Sequence, residues 1–311
     1  MTNRRRFLRE GAALGGSGLL LPIAAAQANN LPSNTKHPVA CQHRLYVPGP
    51  FGQIHLTITE PAAGRASAPP IVCLPMSPRS GRDFDEFALA LADRRQVIAP
   101  DVPGFGGSDP PPAPPRIEDY AAALLDGLGA LLGRRAVMQR MDLVGQHTGV
   151  AIAVAAARQA PKRVRRIATI GVPMFSPEEG AKLRSQFARP RPYFDDPRFL
   201  CAAWERDAAA IAKGQSPERM LLRFTEIMRA GTRSHWGFNA VFNYDMRAAL
   251  EQLPTPLLAI ILNENLGAAS RTAATLVEHG EVADLTDLPG SALDFASQRL
   301  ADTCRAFFDR V

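Results

Sequence analysis

Histidine is scarce and unevenly placed in this chain: six residues, none of them beyond His279. A mechanism that needs an imidazole in the C-terminal stretch is therefore excluded. No two histidines share the i, i+4 or similar spacing of a local metal pair, so a metal site would need ligands from separate segments. The four cysteines, Cys41, Cys73, Cys201 and Cys304, fit no metal motif either. Their even number would permit disulfides in an oxidising compartment, but Cys73 lies within an apolar run, and buried thiols are the expectation. There is no internal repeat and no Gly-rich loop to cradle a phosphate, and no bound cofactor is expected. Beyond the N-terminus no apolar run approaches membrane-spanning length.

What is present is globular in proportion: 311 residues, 46% apolar and 21% charged, which argues against wholesale disorder. The net charge of +6 is misleading until it is located. Arg4, Arg5, Arg6 and Arg9 against Glu10 place +3 of it in residues 1–28. The remainder is too dilute to argue for a nucleic-acid partner. Asn3-Arg4-Arg5-Arg6-Phe7-Leu8-Arg9 resembles a twin-arginine export signal, followed by an apolar run from Gly11 to Ala26 and a small-x-small cleavage site at Ala26-Gln27-Ala28. The resemblance implies a mature periplasmic protein starting near Asn29, handled by the twin-arginine machinery and without a membrane span after cleavage.

Patterning past residue 50 alternates between strand and helix. Strands are expected at Gly52–Glu60, Pro70–Pro75, Gln96–Pro100, Asp142–Gly145, Val164–Ile170 and Pro256–Leu262; helices at Phe84–Ala92, Ile117–Leu132, Val150–Gln159 and Gln298–Val311. Short, wholly apolar strands such as Ile71-Val72-Cys73-Leu74 suit a parallel sheet covered on both faces. From Ser176 to Leu250 helical segments run on with no credible buried strand.

Three stretches in register with those strands resemble the α/β-hydrolase superfamily, from about Tyr46 onward. They are Asp101-Val102-Pro103-Gly104-Phe105-Gly106-Gly107-Ser108, the turn Gly145-Gln146-His147-Thr148-Gly149, and Leu288-Pro289-Gly290 before the last helix. The resemblance implies a mostly parallel central sheet with helices on both faces and a helical cap insertion. It divides the chain into a signal (1–28), a first core part (29–175), the cap (176–250) and a second core part (251–311).

The family's turn carries a serine nucleophile, and here that position holds His147. Aligning Leu288-Pro289-Gly290-Ser291-Ala292-Leu293 puts Leu293 where the family's base is expected, and Leu266 falls where its acid is expected. A Ser-His-Asp relay is thus excluded, because no later histidine can substitute. Glu264 stands two positions from the acid site and is a candidate acid. Aligning Pro75-Met76-Ser77-Pro78 on the family's His-Gly-x-Pro makes the Ser77 N–H an oxyanion donor alongside that of Thr148. His147 is then a candidate general base, with Asp101 as a candidate orienter. Met76, His235, Trp236 and Phe238 are candidate contacts for a small, partly apolar molecule. Two readings remain open here: a hydrolase, or related lyase, of atypical mechanism, and an inactive protein that binds a ligand under the cap.

Overall fold

The computed structural model describes residues 40–62, 64–132, 140–190, 196–209, 211–213 and 215–310. The expected signal at 1–28, with its cleavage site, lies outside them. The chain opens with an antiparallel hairpin, β1 (Gln42–Gly49) and β2 (Gly52–Thr59). It then alternates through β3 (Ile71–Leu74), α1 (Asp85–Leu91), β4 (Val97–Pro100), α2 (Ile117–Leu132), β5 (Met141–Gln146), α3 (Thr148–Gln159) and β6 (Val164–Ile170). Five α-helices follow: α4 (Pro177–Phe187), α5 (Pro197–Ala208), α6 (Pro217–Ala230), α7 (Trp236–Phe242) and α8 (Met246–Glu251). The chain closes with β7 (Leu257–Asn263), α9 (Gly267–Leu276), β8 (Gly280–Pro289) and α10 (Ser297–Phe308).

The sheet order is β1-β2-β4-β3-β5-β6-β7-β8. From β4 to β8 every pairing is parallel, and β2 runs antiparallel to both its neighbours. All residues of β3 and β4 are buried, as their unbroken apolar sequence requires when both faces are covered. One apolar cluster lies where α2, α3 and α8 pack, with Ile117, Leu124, Val150 and Leu250 among its members. The other joins α1 and α10 through Phe87, Leu91, Leu300 and Phe307. Truncating a wholly buried ring such as Phe307 to alanine should cost about 3–5 kcal/mol.

Two elements escape a reading by apolar pattern. The first strand, β1, precedes the first expected strand at Gly52–Glu60 and was not marked by patterning. The edge strand β8 is mostly polar, because an edge needs charge rather than apolar surface to discourage further pairing. Its Glu281, Asp284 and Asp287 are ion-paired with Arg310, Arg271 and Arg299. Three of the five α-helices between β6 and β7 start at Ser-Pro or Asp-Pro dipeptides: Ser176-Pro177, Asp196-Pro197 and Ser216-Pro217. In each the capping oxygen accepts a backbone N–H, and proline sits where no N–H is needed. Among the described residues no helix is long and apolar enough to cross a membrane.

The cysteines divide. Cys73 and Cys304 are buried, as expected, but Cys41 and Cys201 are exposed, correcting a uniform expectation of buried thiols. Burial pushes the Cys304 thiol up to about 12 and Cys73 upward as well.

Candidate active site

The turn from β5 into α3 sets one side chain apart. His147 has φ 47° and ψ −111°, and it is the one non-glycine residue at positive φ among those described. Such geometry costs on the order of 1–3 kcal/mol and persists only where its surroundings impose it. Here the His147 N–H donates to Ile170 O at 2.9 Å, and its carbonyl accepts from Val150 N at 2.8 Å. A Cβ on Gly149 would fall 2.0 Å from Leu74 O, so β3 and α3 can meet only through a glycine.

The imidazole has a partner. His147 Nε2 lies 2.9 Å from Glu264 Oε2, with the two side chains 26% and 12% exposed. An ionised carboxylate only accepts, so in the neutral imidazole this contact puts the ring proton on Nε2 and the lone pair on Nδ1. No hydrogen bond to Nδ1 occurs among the described residues. Glu264 reaches His147 because the β7–β8 register shifts after Leu262, which pairs Asn263 with Pro289 and brings Glu264 beside Gly290. Leu266, where the alignment expects the acid, instead precedes the first turn of α9 as its N-cap. The carboxylate that meets His147 is thus the candidate Glu264, two residues before Leu266.

Two glycines frame the pair. A Cβ on Gly171 (φ +70°) would lie 2.3 Å from His147 Cδ2 and 2.5 Å from Glu264 Oε1; one on Gly290 would lie 2.8 Å from Glu264 Oε2. Leu293, at the position of the family's base, is 1% exposed and belongs to the apolar cluster under α10.

Thr148 is the first residue of α3, where an N–H has no intrahelical partner. Among the described residues neither its N–H nor that of Ser77 donates to another group. Both residues are buried. Asp101 serves elsewhere: it accepts from Gly81 N at 2.7 Å and Gly107 N at 2.6 Å, and it lies 2.9 Å from His55 Nδ1. Its carboxylate ties the loop after β4 to β2 and does not orient His147. His55, in turn, is a structural partner.

Met76, His235, Trp236 and Phe238 are half-buried. A Cβ on Gly237 would sit 2.2 Å from Ser77 Oγ, so the start of α7 presses directly on the loop after β3. Trp236 packs onto the larger apolar cluster, and Phe238 stacks on Phe242 with ring centroids 6.1 Å apart. A cavity of about 870 Å³ opens nearby, lined in part by Met174, Phe175, Phe242, Tyr244, Asn265 and Leu266. Sequence reading missed it. Its available signal was the aromatic residues at both ends of the helical insertion. Among the described residues no group of His, Cys, Asp or Glu is arranged to hold a metal.

The strand order, the strained turn at the end of β5 and the helices on both faces define the α/β-hydrolase fold. The family model for that fold matches residues 69–206. Among curated proteins, the polyketide synthase ThaQ of Burkholderia thailandensis is 28% identical over 272 residues, which is 82% of this chain and 12% of that one. The 2-hydroxymuconate semialdehyde hydrolase of Pseudomonas putida is 38% identical over 81 residues, 25% of this chain and 26% of the hydrolase. The chain thus spans a small part of both relatives. Among solved structures, a thermophilic esterase from Thermogutta terrifontis superposes with a TM-score of 0.68 at 20% identity, over 85% of this chain and 97% of the esterase.

Proposed function

We propose that the protein is a hydrolase of small, partly apolar esters or lactones in which the His147–Glu264 pair activates water. The 2.9 Å contact between Nε2 and Oε2 carries this reading. In a serine hydrolase the histidine is held by an acid and passes a proton between nucleophile and leaving group. Here the histidine stands at the nucleophile's own position, already on its acid, and water takes the place of the serine hydroxyl. Nδ1 removes a proton from water as the new C–O bond forms at the substrate carbonyl. The Ser77 and Thr148 N–H groups receive the resulting oxyanion. When the tetrahedral adduct collapses, the ester C–O bond breaks and the leaving alkoxide takes the proton back from the imidazolium. Glu264 stabilises that cation while it exists. General-base catalysis contributes about 10²–10⁴-fold and a single oxyanion donor about 10²–10³-fold, so the pair and the hole together suffice for useful turnover. The hydrolase and esterase among the similar proteins support this class of reaction. The N-terminal arginine pair supports export to the periplasm as its setting.

A second reading keeps the pocket without turnover. It is favoured by one observation, the apolar Leu293 packed into the core at the position of the lost base. Assaying ester, lactone and β-diketone substrates with wild-type protein and His147→Ala separates the two. Turnover lost in the variant supports the hydrolase. Equal silence, with a ligand still raising the Tm of both, supports the binding protein.

A further inference from the structure

The cavity of about 870 Å³ has a described lining that includes none of His147, Ser77 and Thr148. Its walls come from the start of α4, the end of α7 with the start of α8, and the first turns of α9. Two of these walls continue from the segments that hold the His147–Glu264 pair. Leu266 follows Glu264 by two residues and Met174 follows Gly171 by three. At about 3.8 Å per residue their Cα atoms lie within about 8 Å and about 12 Å of those of Glu264 and Gly171. The volume is that of a small-molecule cleft, which runs from about 300 to about 1,000 Å³.

The walls are braced against one another. Arg184 Nη1, on α4, donates to Phe242 O at 2.8 Å, and Val172 N donates to Ser270 Oγ, on α9, at 2.8 Å. A site held in this way loses little freedom when it fills. Its apolar part includes Met174, Leu266 and the edge-to-face rings of Phe175 and Phe242, 5.5 Å apart between centroids, a set to which an aromatic guest can add. Its charged part balances, Glu179 and Asp245 against Arg184 and Arg247. Both carboxylates already cap helices, accepting from Ser176 N at 2.8 Å and from Ala248 N at 3.0 Å, while Arg247 pairs with Glu251 at 3.7 Å. An ionic guest would meet as much like charge as opposite charge and would give up water for no net attraction. Asn265 differs: its carboxamide has no partner among the described residues, and it can both donate and accept.

We infer that this cavity is a second binding site, for a neutral molecule with an aromatic body and one hydrogen-bonding head, such as a primary amide or an alcohol. The rings of Phe175 and Phe242 take the body, and Asn265 takes the head. Binding there does not depend on hydrolytic activity, since none of the reacting groups lines the cavity.

Equilibrium binding to the wild-type chain, followed by ligand-observed NMR, tests this with matched probes: 3-phenylpropanamide, 3-phenylpropanoate, 3-phenylpropylammonium and the ringless propanamide. The aromatic amide should bind with a Kd of about 1 mM or tighter. The two ions and propanamide should each bind about tenfold more weakly, or worse. Asn265→Leu, at an exposed position, should weaken the aromatic amide about five- to tenfold. Ala269→Trp, which fills the cavity from α9, should abolish binding, with a melting curve to show that the variant is folded. His147→Ala should leave the affinity unchanged. No binding of the aromatic amide, an ion bound as tightly, or an affinity unmoved by Asn265→Leu overturns the second site. Affinity lost in His147→Ala would put the probe in the catalytic pocket and overturn it as well. None of these outcomes bears on the hydrolase, which stands or falls by the ester assay of wild type and His147→Ala.

Discussion

His147 and Glu264 stand 117 residues apart in the chain, and their side chains meet at 2.9 Å. The contact joins the turn after β5 to the loop after β7, across the C-terminal edge of the sheet where ligands bind in open α/β folds. If the carboxylate works only through the imidazole, the two residues form one unit. Glu264→Gln should lower kcat/KM by about 10–10²-fold, and His147→Ala by about 10²–10⁴-fold. The double variant should be no worse than His147→Ala alone, because units of this kind are strongly non-additive. Multiplicative losses would show that Glu264 acts elsewhere.

Gly171 holds the geometry of the pair and takes no part in its chemistry. A methyl group there would enter both the imidazole and the carboxylate, at a backbone φ that disfavours side chains. Gly171→Ala should destabilise the fold by about 1–3 kcal/mol. It should also cut kcat/KM by about 10²-fold through displacement of the pair. Melting curves and kinetics on the same sample check both, and unimpaired kinetics would mean that the pair is not held where the structure puts it.

Thiol reactivity follows from burial. Cys41 and Cys201 are exposed, while Cys73 and Cys304 are sealed in the core with raised thiol pKa values. The native protein should release colour from a chromogenic disulfide reagent quickly at two of its four cysteines, with the other two following only in denaturant.

Glu226 gives a pH signature. Its folded pKa is raised above the unfolded value, so the unfolded chain loses this proton first as pH climbs. The wild type should therefore lose stability from the ordinary carboxylate range up to the raised value and remain level above it. Glu226→Gln lacks that loss. The Tm difference, variant minus wild type, should become more positive as pH rises upward from the ordinary carboxylate range. The raised Asp85 and Asp142 are common to both proteins and cancel. A difference independent of pH would place Glu226 in a wetter site than described.

Much of the architecture was legible because buried parallel strands leave no choice of pattern. Ile117–Leu132 and Val164–Ile170 run between the same residues in sequence expectation and structure. The polar edge strand β8 was not legible, since its pattern answers to solvent and to neighbouring arginines. Within the site, the strained turn was readable from its glycines, and Glu264 was readable as a candidate but not its contact with His147. That contact goes with a register shift between β7 and β8, in which three residues of β8 are passed over between the Leu262–Leu285 and Asn263–Pro289 pairs, and which leaves no trace in composition. The partner of Asp101 was not readable for a related reason: His55 comes from the antiparallel neighbour of β4, 46 residues earlier.

The central claim is that water, activated by His147, attacks the substrate, and that no protein side chain does. Intact-mass spectrometry of wild-type protein quenched during steady turnover of a slow ester tests this directly. The account predicts the unmodified protein mass at every time point. An acyl increment on a serine, or on His147 itself, that forms and decays at the rate of turnover would contradict it.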